Sequence, residues 1–473
     1  MNSKQVLDIF KEITRIPRES GHEGPITEYL RQFAISRGLS CSIDPTGNVL
    51  IVKEASPGRE SVPTLVLQSH QDMVCEKLAG SSHDFSKDPV RYVVEDGWMI
   101  APETTLGADD GIGIAAQLAL LESKESMGRI ECLFTISEET GMDGAEALQP
   151  GFFSGKTLIN LDSEDEGQLF IGCAGGMNTR VTLEYTKEPV QKGWKTLVLK
   201  LDGATGGHSG DDINKERVNA LQQMSRFLYT EMKKGMQLSS INGGGKPNAI
   251  ARECEAVVSV PDAGATAARF ALFGKTLSME FCVSDPAIRA ASAEGNASEA
   301  IESATAGKLI SSLCCCPHGV LAMSQDIPGL VETSTNLASV RTGDDGHIII
   351  STSQRSSTIS ERDMTGDKVE ALFKLAGAEC ERLYAYPGWK PNLDSPILAV
   401  CVESYRRLFN QEPEVKAIHA GLECGLFLEK FPELDMISFG PTLRGVHAPG
   451  ERLELASLDK FVALLSDVVC NYR

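Results

Sequence analysis

The sequence predicts an α/β protein in which a mostly parallel-sheet domain, residues 1–184 and 384–473, is interrupted by an inserted α+β domain, residues 185–383. Three observations carry this expectation. Short apolar runs alternate with helix-like stretches through the first third, the pattern of a layered α/β sheet. Near residue 185 strand candidates begin to follow one another, as in an antiparallel sheet. Beyond the prolines of AYPGWKPN (385–392) the alternation resumes, and 473 residues exceed what one ordinary core supports.

In chain order, MNSKQVLDIFKEITRIP reads as an amphipathic helix with Val6, Ile9, Phe10 and Ile13 on one face. TLVLQ (64–68), RIECLFTI (129–136) and KTLINL (156–161) are short apolar strands, with the helix pattern GIGIAAQLALLESKES (111–126) between the first two. In the insert, TLVLKLDG (196–203) precedes a helix pattern, KERVNALQQMSRFLYTEM (215–232). MQLSSING (236–243), AIARECEAVVSV (249–260) and SMEFCVS (278–284) are then expected as strands. VETSTNLASVRTGDDGHIIISTSQRSS (331–357) reads as two strands around a GDDG turn, followed by a helix over 365–383. A faint echo between PNAIARECEAVVSV and STNLASVRTGDDGHIIIS suggests an internal duplication. The tail gives a helix (ILAVCVESYRRLF), a strand running into a helix (VKAIHAGLECGLFLEKF) and a strand (ELDMISFGP).

Composition excludes several classes of function. Forty-five basic against 65 acidic residues leave a formal charge of -20, which repels phosphate backbones and argues against nucleic-acid partners. No apolar run reaches the roughly 20 residues of a membrane span, and the first residues lack the apolar stretch of a signal peptide. With 13 scattered cysteines and no paired CxxC repeat, a cytoplasmic, reducing setting is expected. Adjacent cysteines are poorly placed to share one metal, so Cys314, Cys315 and Cys316 are read as ordinary thiols.

The chemistry gathers at strand ends. His70 closes the TLVLQS strand, Asp109 precedes a helix within GADDGIG, Glu138 and Glu139 follow ECLFTIS, Asp162 ends LINL, and His447 follows MISFGP. Sites in parallel α/β sheets form at the carboxyl ends of strands. Taken singly, each has a plain alternative: an incidental HxD, an ordinary glycine-rich turn, a solvated glutamate doublet. Imidazole and carboxylate without thiolate suits catalytic zinc, cobalt or manganese. Two histidines and three carboxylates suffice for two ions if one carboxylate bridges, and the glutamate pair leaves one carboxylate over as general base.

The stretches IPRESGHEGP, LQSHQDMVCEK, TLGADDGIGIA, ISEETGMDGA, INLDSEDEG, GATGGHSGDDI, HAGLECGLF and GVHAPGER resemble the M20 metallopeptidases, within them the aminoacyl-histidine dipeptidases, over the whole chain. The resemblance implies two divalent metal ions, zinc first, with His70 and Asp162 on one, His447 and Glu139 on the other, and Asp109 bridging. It implies a cis Asp109–Asp110 bond, Glu138 as general base, and Asp72 orienting the His70 imidazole. The insert would act as a lid, His208 donating to the scissile carbonyl oxygen and Arg355 clamping the substrate carboxylate. Asn248, Gly421 and Glu423 are further expected substrate contacts, Glu423 toward the free amino group, while His419 is read as structural. His208 and Arg355 also admit readings as a surface-loop histidine and a solvated strand-end arginine.

The implied activity is hydrolysis of unblocked dipeptides, Xaa-His and carnosine-like substrates among them, by a metal-bridging hydroxide. An aminoacylase or carboxypeptidase on the same fold, or a non-catalytic binding protein, are the alternatives. In some members the lid histidine comes from a partner subunit, in others from a doubled lid; a homodimer is expected here, with the source of the histidine open.

Overall fold

A computed structural model describes residues 1–473. The chain forms two compact units: Met1–Gly172 with Lys390–Ala417 and Leu422–Arg473, and Cys173–Trp389 with Ile418–Gly421.

The first unit is built on an eight-stranded sheet. Its order is Ser40–Ile43, Val49–Lys53, Ile130–Thr135, Leu65–His70, Thr157–Asn160, Asp435–Ser438, Gln168–Cys173 and Glu414–Ile418. The four central strands run parallel, as expected for runs buried on both faces. The two strands at one side, and Gln168–Cys173 at the other, are antiparallel to their neighbours. Parallel pairing puts His70 beside Thr135 and Gln68 beside Asn160, so the following loops all leave from one edge. The helix Ala108–Glu122 is buried along nearly its whole length, which explains why its apolar residues run all round it. The N-terminal helix, Ser3–Ile13, is capped by Asn2 and buries Val6, Phe10 and Ile13, while Ile9 is only half-buried.

The second unit carries an antiparallel sheet. Its order is Arg289–Glu294, Lys195–Asp202, Cys254–Val260, Gln237–Gly244, Val331–Thr342, His347–Ser356, Gly175–Glu184 and Glu379–Tyr386, with Gly319–Met323 beside Val331–Thr342. Ala220–Met232, Ala263–Glu280, Ser303–Cys315 and Ile359–Leu375 are its principal helices, and Leu221, Phe227, Phe270, Leu309 and Phe373 lie in the core they share with the sheet.

Several expectations are corrected. Residues 175–184 pair with His347–Ser356 and with Glu379–Tyr386, so they belong to the second unit and not to the segment ending at 184. SMEFCVS is no strand: Asp262 caps a helix whose buried Thr266, Phe270, Gly274 and Leu277 keep a helical period through Glu280, and the strand comes later, at Arg289–Glu294. The helix expected over 365–383 runs from Ile359 to Leu375, and a strand, Glu379–Tyr386, follows. None of the 13 cysteines forms a disulfide; Cys314 and Cys315 end a helix and Cys316 is buried. No helix is long and apolar enough to cross a membrane.

Candidate metal centre

Five side chains from five separate loops or strand ends of the first unit meet. His70 Nε2 lies 3.0 Å from Asp109 Oδ1 and 3.4 Å from Asp162 Oδ1. His447 Nε2 lies 3.1 Å from Asp109 Oδ2 and 2.9 Å from Glu139 Oε2. Two donor groups result, His70–Asp109–Asp162 and Asp109–Glu139–His447, with Asp109 common to both through different oxygens. Glu138 joins His70 and Glu139 in a third cluster, so a carboxylate outside the two donor groups lies beside them. The Asp109–Asp110 peptide is cis.

Local structure explains the aim of each group. His70 is the last residue of its strand and fully buried. Its Nδ1 lies 3.1 Å from the Asp72 carbonyl oxygen and 3.3 Å from the Asp72 carboxylate, which leaves Nε2 to face Asp109. Asp72 is itself tied down: its carboxylate accepts from Ser20 Oγ and from the backbone amides of Glu138 and Glu139. Its carboxylate therefore contacts the backbone of the glutamate pair as well as the histidine. Ser137 enters that pair at positive φ, with its amide and hydroxyl bonded to Glu23 Oε1. His447 also has positive φ, and its side chain is half-exposed.

Charge at the centre is unbalanced in a telling way. Asp72, Asp109, Asp110, Glu138, Glu139, Asp162, Glu164, Glu423 and Glu451 act electrostatically on one another or on the two histidines, and Arg18 is the guanidinium among them. Burial, reinforced by neighbouring carboxylates, pushes Glu138 and Asp162 well above the ordinary carboxylate range and Glu164 up to about 8. Asp109 is held down despite its burial, because it faces both imidazoles. His447, bonded to Asp109 and Glu139, is raised to about 11; His70 is buried, but its three aspartates still raise it well above its usual value. So many buried carboxyl groups cannot all ionise without added positive charge. Two divalent cations would supply it. The donor spacings of 2.9–3.4 Å fit as well: around an ion with bonds of about 2 Å, tetrahedral donors lie about 3.3 Å apart. The residues present fit a two-metal site.

The sequence profile of peptidase family M20/M25/M40 matches residues 66–471. The chain belongs to peptidase family M20/M25/M40. This M20 chain is 38% identical to the cytosol non-specific dipeptidase of Escherichia coli K12, across 99% of its own length and 98% of that protein's. It is similar to the crystal structure of an aminoacylhistidine dipeptidase from Vibrio alginolyticus, with 36% identity, a TM-score of 0.90, and coverage of 99% and 96% of the two chains. An aminopeptidase from Bacillus cereus shares the fold at 15% identity and a TM-score of 0.58, with 99% and 98% covered. Members of the family depend on metal, and the M20 assignment makes the chain a hydrolase.

The remaining predicted site residues separate into two groups. His208, Asn248, Arg355, His419 and Gly421 lie in the second unit. His208 Nδ1 lies 3.3 Å from the backbone amides of Gly210 and Asp211 and 3.5 Å from the Asp211 carboxylate, while its Nε2 has no hydrogen-bond partner. Arg355 is 8% exposed, donates to Tyr386 Oη at 3.3 Å, and has no carboxylate within ion-pair distance. Asn248 is exposed and bonds Ser209 through its backbone carbonyl. Gly421 is packed against Tyr386, whose ring atoms lie 3.0–3.3 Å from where a Cβ would stand, so its missing side chain admits that ring. His419 is buried, bonded to Ser334 Oγ at 2.7 Å, and lowered to about 3 by burial and by Arg355.

Glu423 lies in the first unit. It is 0% exposed and accepts from Gln68 Nε2 at 2.6 Å and Thr135 Oγ1 at 2.8 Å. Gln68 in turn accepts from Asn160 Nδ2, which links through Ser438 to Ser163. This buried row crosses the parallel strands two residues before His70 and Asp162, and it leaves Glu423 Oε1 without a hydrogen-bond partner. Sequence reading missed this row, and also Arg18 and Glu451. Arg18 and Glu451 stand within motifs already noted, but nothing in their spacing distinguishes a buried clamp from a loop charge.

Proposed function

We propose that this chain is a dinuclear-metal dipeptidase acting on unblocked dipeptides, Xaa-His among them. The observation that carries the proposal is the pair of donor groups sharing Asp109, with the Glu138 carboxylate beside them. The names of the E. coli and Vibrio relatives support the substrate class. His70, Asp109 and Asp162 would hold one ion and Asp109, Glu139 and His447 the other; imidazole and carboxylate suit zinc, with cobalt and manganese next. Bound there, the ions would polarise the scissile carbonyl and make water acidic enough to attack at neutral pH.

The protein's own groups do the rest. Glu138 accepts a proton from the attacking water and returns it to the leaving amine nitrogen, a transfer suited to a carboxyl group whose proton affinity burial has raised. Asp72 keeps that glutamate and His70 in register. His208, whose Nε2 is left without a partner in the fold, is a donor for the oxyanion of the tetrahedral intermediate in the assembled enzyme. Arg355 takes the dipeptide carboxylate; a buried guanidinium without an acidic partner of its own is free to do so. The inserted unit thereby acts as a lid.

A panel of free dipeptides, set against the matching N-acyl amino acids, tests the reading on purified, zinc-loaded protein. Free dipeptides including β-alanyl-histidine should be cleaved and N-acyl compounds left intact; cleavage of the N-acyl compounds alone would overturn the substrate class.

A further inference from the structure

Glu451 stands four residues beyond His447 and is 1% exposed. Its two oxygens face a single turn of backbone. Oε2 accepts from the amides of Leu106 (2.7 Å) and Gly107 (3.1 Å); Oε1 accepts from Ala108 (2.8 Å) and Asp109 (3.4 Å). Four successive N–H groups thus converge on one carboxylate in the turn that leads into the helix Ala108–Glu122, where Asp109 and Asp110 still have non-helical backbone angles. The same turn is held from the other side. Arg18, also buried, donates to the carbonyl oxygens of Gly107, Gln71 and Asp72, which lie beside the two metal-facing segments. Gly107 has φ +70, and a Cβ there or at Gly111 would stand within 3 Å of Arg18 Nη2.

Glu451 is in turn fixed to its own segment. Its carbonyl accepts from Ala101, and the next residues, Arg452–Glu454, pair with Trp98–Ile100. The segment bearing His447 and the turn bearing Asp109 are therefore joined by one side chain.

We propose that Glu451 is a positioning residue for the metal centre: by gathering the amides of residues 106–109 it sets the Asp109 carboxylate between the two imidazoles, and ties that setting to the His447 loop. The inference rests on the two-metal reading of the five donors. It requires a carboxylate and not merely a side chain of that size, because an amide at this place would turn its NH₂ toward two backbone N–H donors and forfeit their bonds.

The test is zinc affinity of the full-length protein, measured on metal-stripped samples by competition with a fluorescent chelator, alongside the thermal midpoint of the stripped protein. Wild type should take up two zinc ions per chain. E451Q should bind zinc about 10–100-fold more weakly, the usual range for groups that orient metal ligands, while its stripped form melts within a few degrees of wild type; E451D should recover part of the affinity. Should E451Q fail to fold, E451D carries the test alone, with a loss of several-fold expected. Zinc affinity within two-fold of wild type in E451Q, or in E451D where that variant stands alone, would overturn the proposal. So would a weakening accompanied by an equivalent collapse of the stripped protein, which marks a purely structural role. If wild type itself bound no zinc, the two-metal reading would fail instead, and the two failures are told apart by that control.

Discussion

Asp72 in the first unit accepts from a serine hydroxyl and two backbone amides while its carboxylate also lies 3.3 Å from a histidine; the Arg355 side chain in the second has one hydrogen bond, to a tyrosine. The contrast extends to their neighbours. Asp109 faces two imidazoles and its turn is bound by Glu451 and Arg18, whereas His208 sits on a Gly-Gly-His-Ser-Gly turn with only its Nδ1 engaged. Groups that hold ions must be set in advance, because a ligand misplaced by an ångström forfeits much of the binding. Groups that hold a transient substrate keep a donor free instead. On the proposed reading, an over-determined cluster and an under-partnered one are two signatures of function, and they should answer differently to substitution.

The largest effect should come from the proton carrier. Glu138→Gln keeps the shape of the side chain and removes its basicity, and kcat should fall about 10²–10⁴-fold with zinc content unchanged by metal analysis. A loss of zinc in parallel would make Glu138 a ligand and blur the contrast between carrier and holders. Next comes His208→Ala, which should lower kcat by about 10²–10³-fold without altering metal content; an unchanged kcat would leave the histidine as a turn residue only. Arg355→Ala should chiefly raise KM for free dipeptides by about 10–100-fold, the loss of a charge-assisted pair, and amidating the substrate carboxylate should erase the difference between mutant and wild type.

The smallest effect is on stability. His419 titrates near 3 in the fold against about 6.5 when unfolded. The unfolded chain therefore binds the extra proton between those values, so stability is fully present above pH 6.5 and drains away as pH falls toward 3. His419→Gln should flatten that decline by on the order of 2 kcal/mol between pH 6.5 and 4, read from denaturant midpoints across pH. An unaltered slope would remove His419 from the buried polar set.

Sequence was informative where chemistry and topology coincide. His70, Asp109, Glu139, Asp162 and His447 could be read because parallel strands deliver their loops to one edge, and the structure does bring these five side chains together. Fold class was readable for the same reason, since apolar runs buried on both faces announce themselves. What escaped, apart from the buried row of polar side chains, were interactions whose partners are backbone. Glu451 recognises four amides and Arg18 three carbonyls, and an amide carries no residue identity to spot. The burial of Glu423 was not legible either: the bonds from Gln68 and Thr135 place it in a row of buried polar side chains that no spacing marks. SMEFCVS misled through local β preference, which lost to the helical burial of Phe270 and Leu277.

The central claim is that one aspartate is shared by two cations. Anomalous diffraction from crystals of the zinc-loaded protein tests it most directly. Two zinc peaks should flank the Asp109 carboxylate at about 2 Å, one also bound by His70 and Asp162, the other by His447 and Glu139. A single peak, or ions bound without Asp109, would contradict the account.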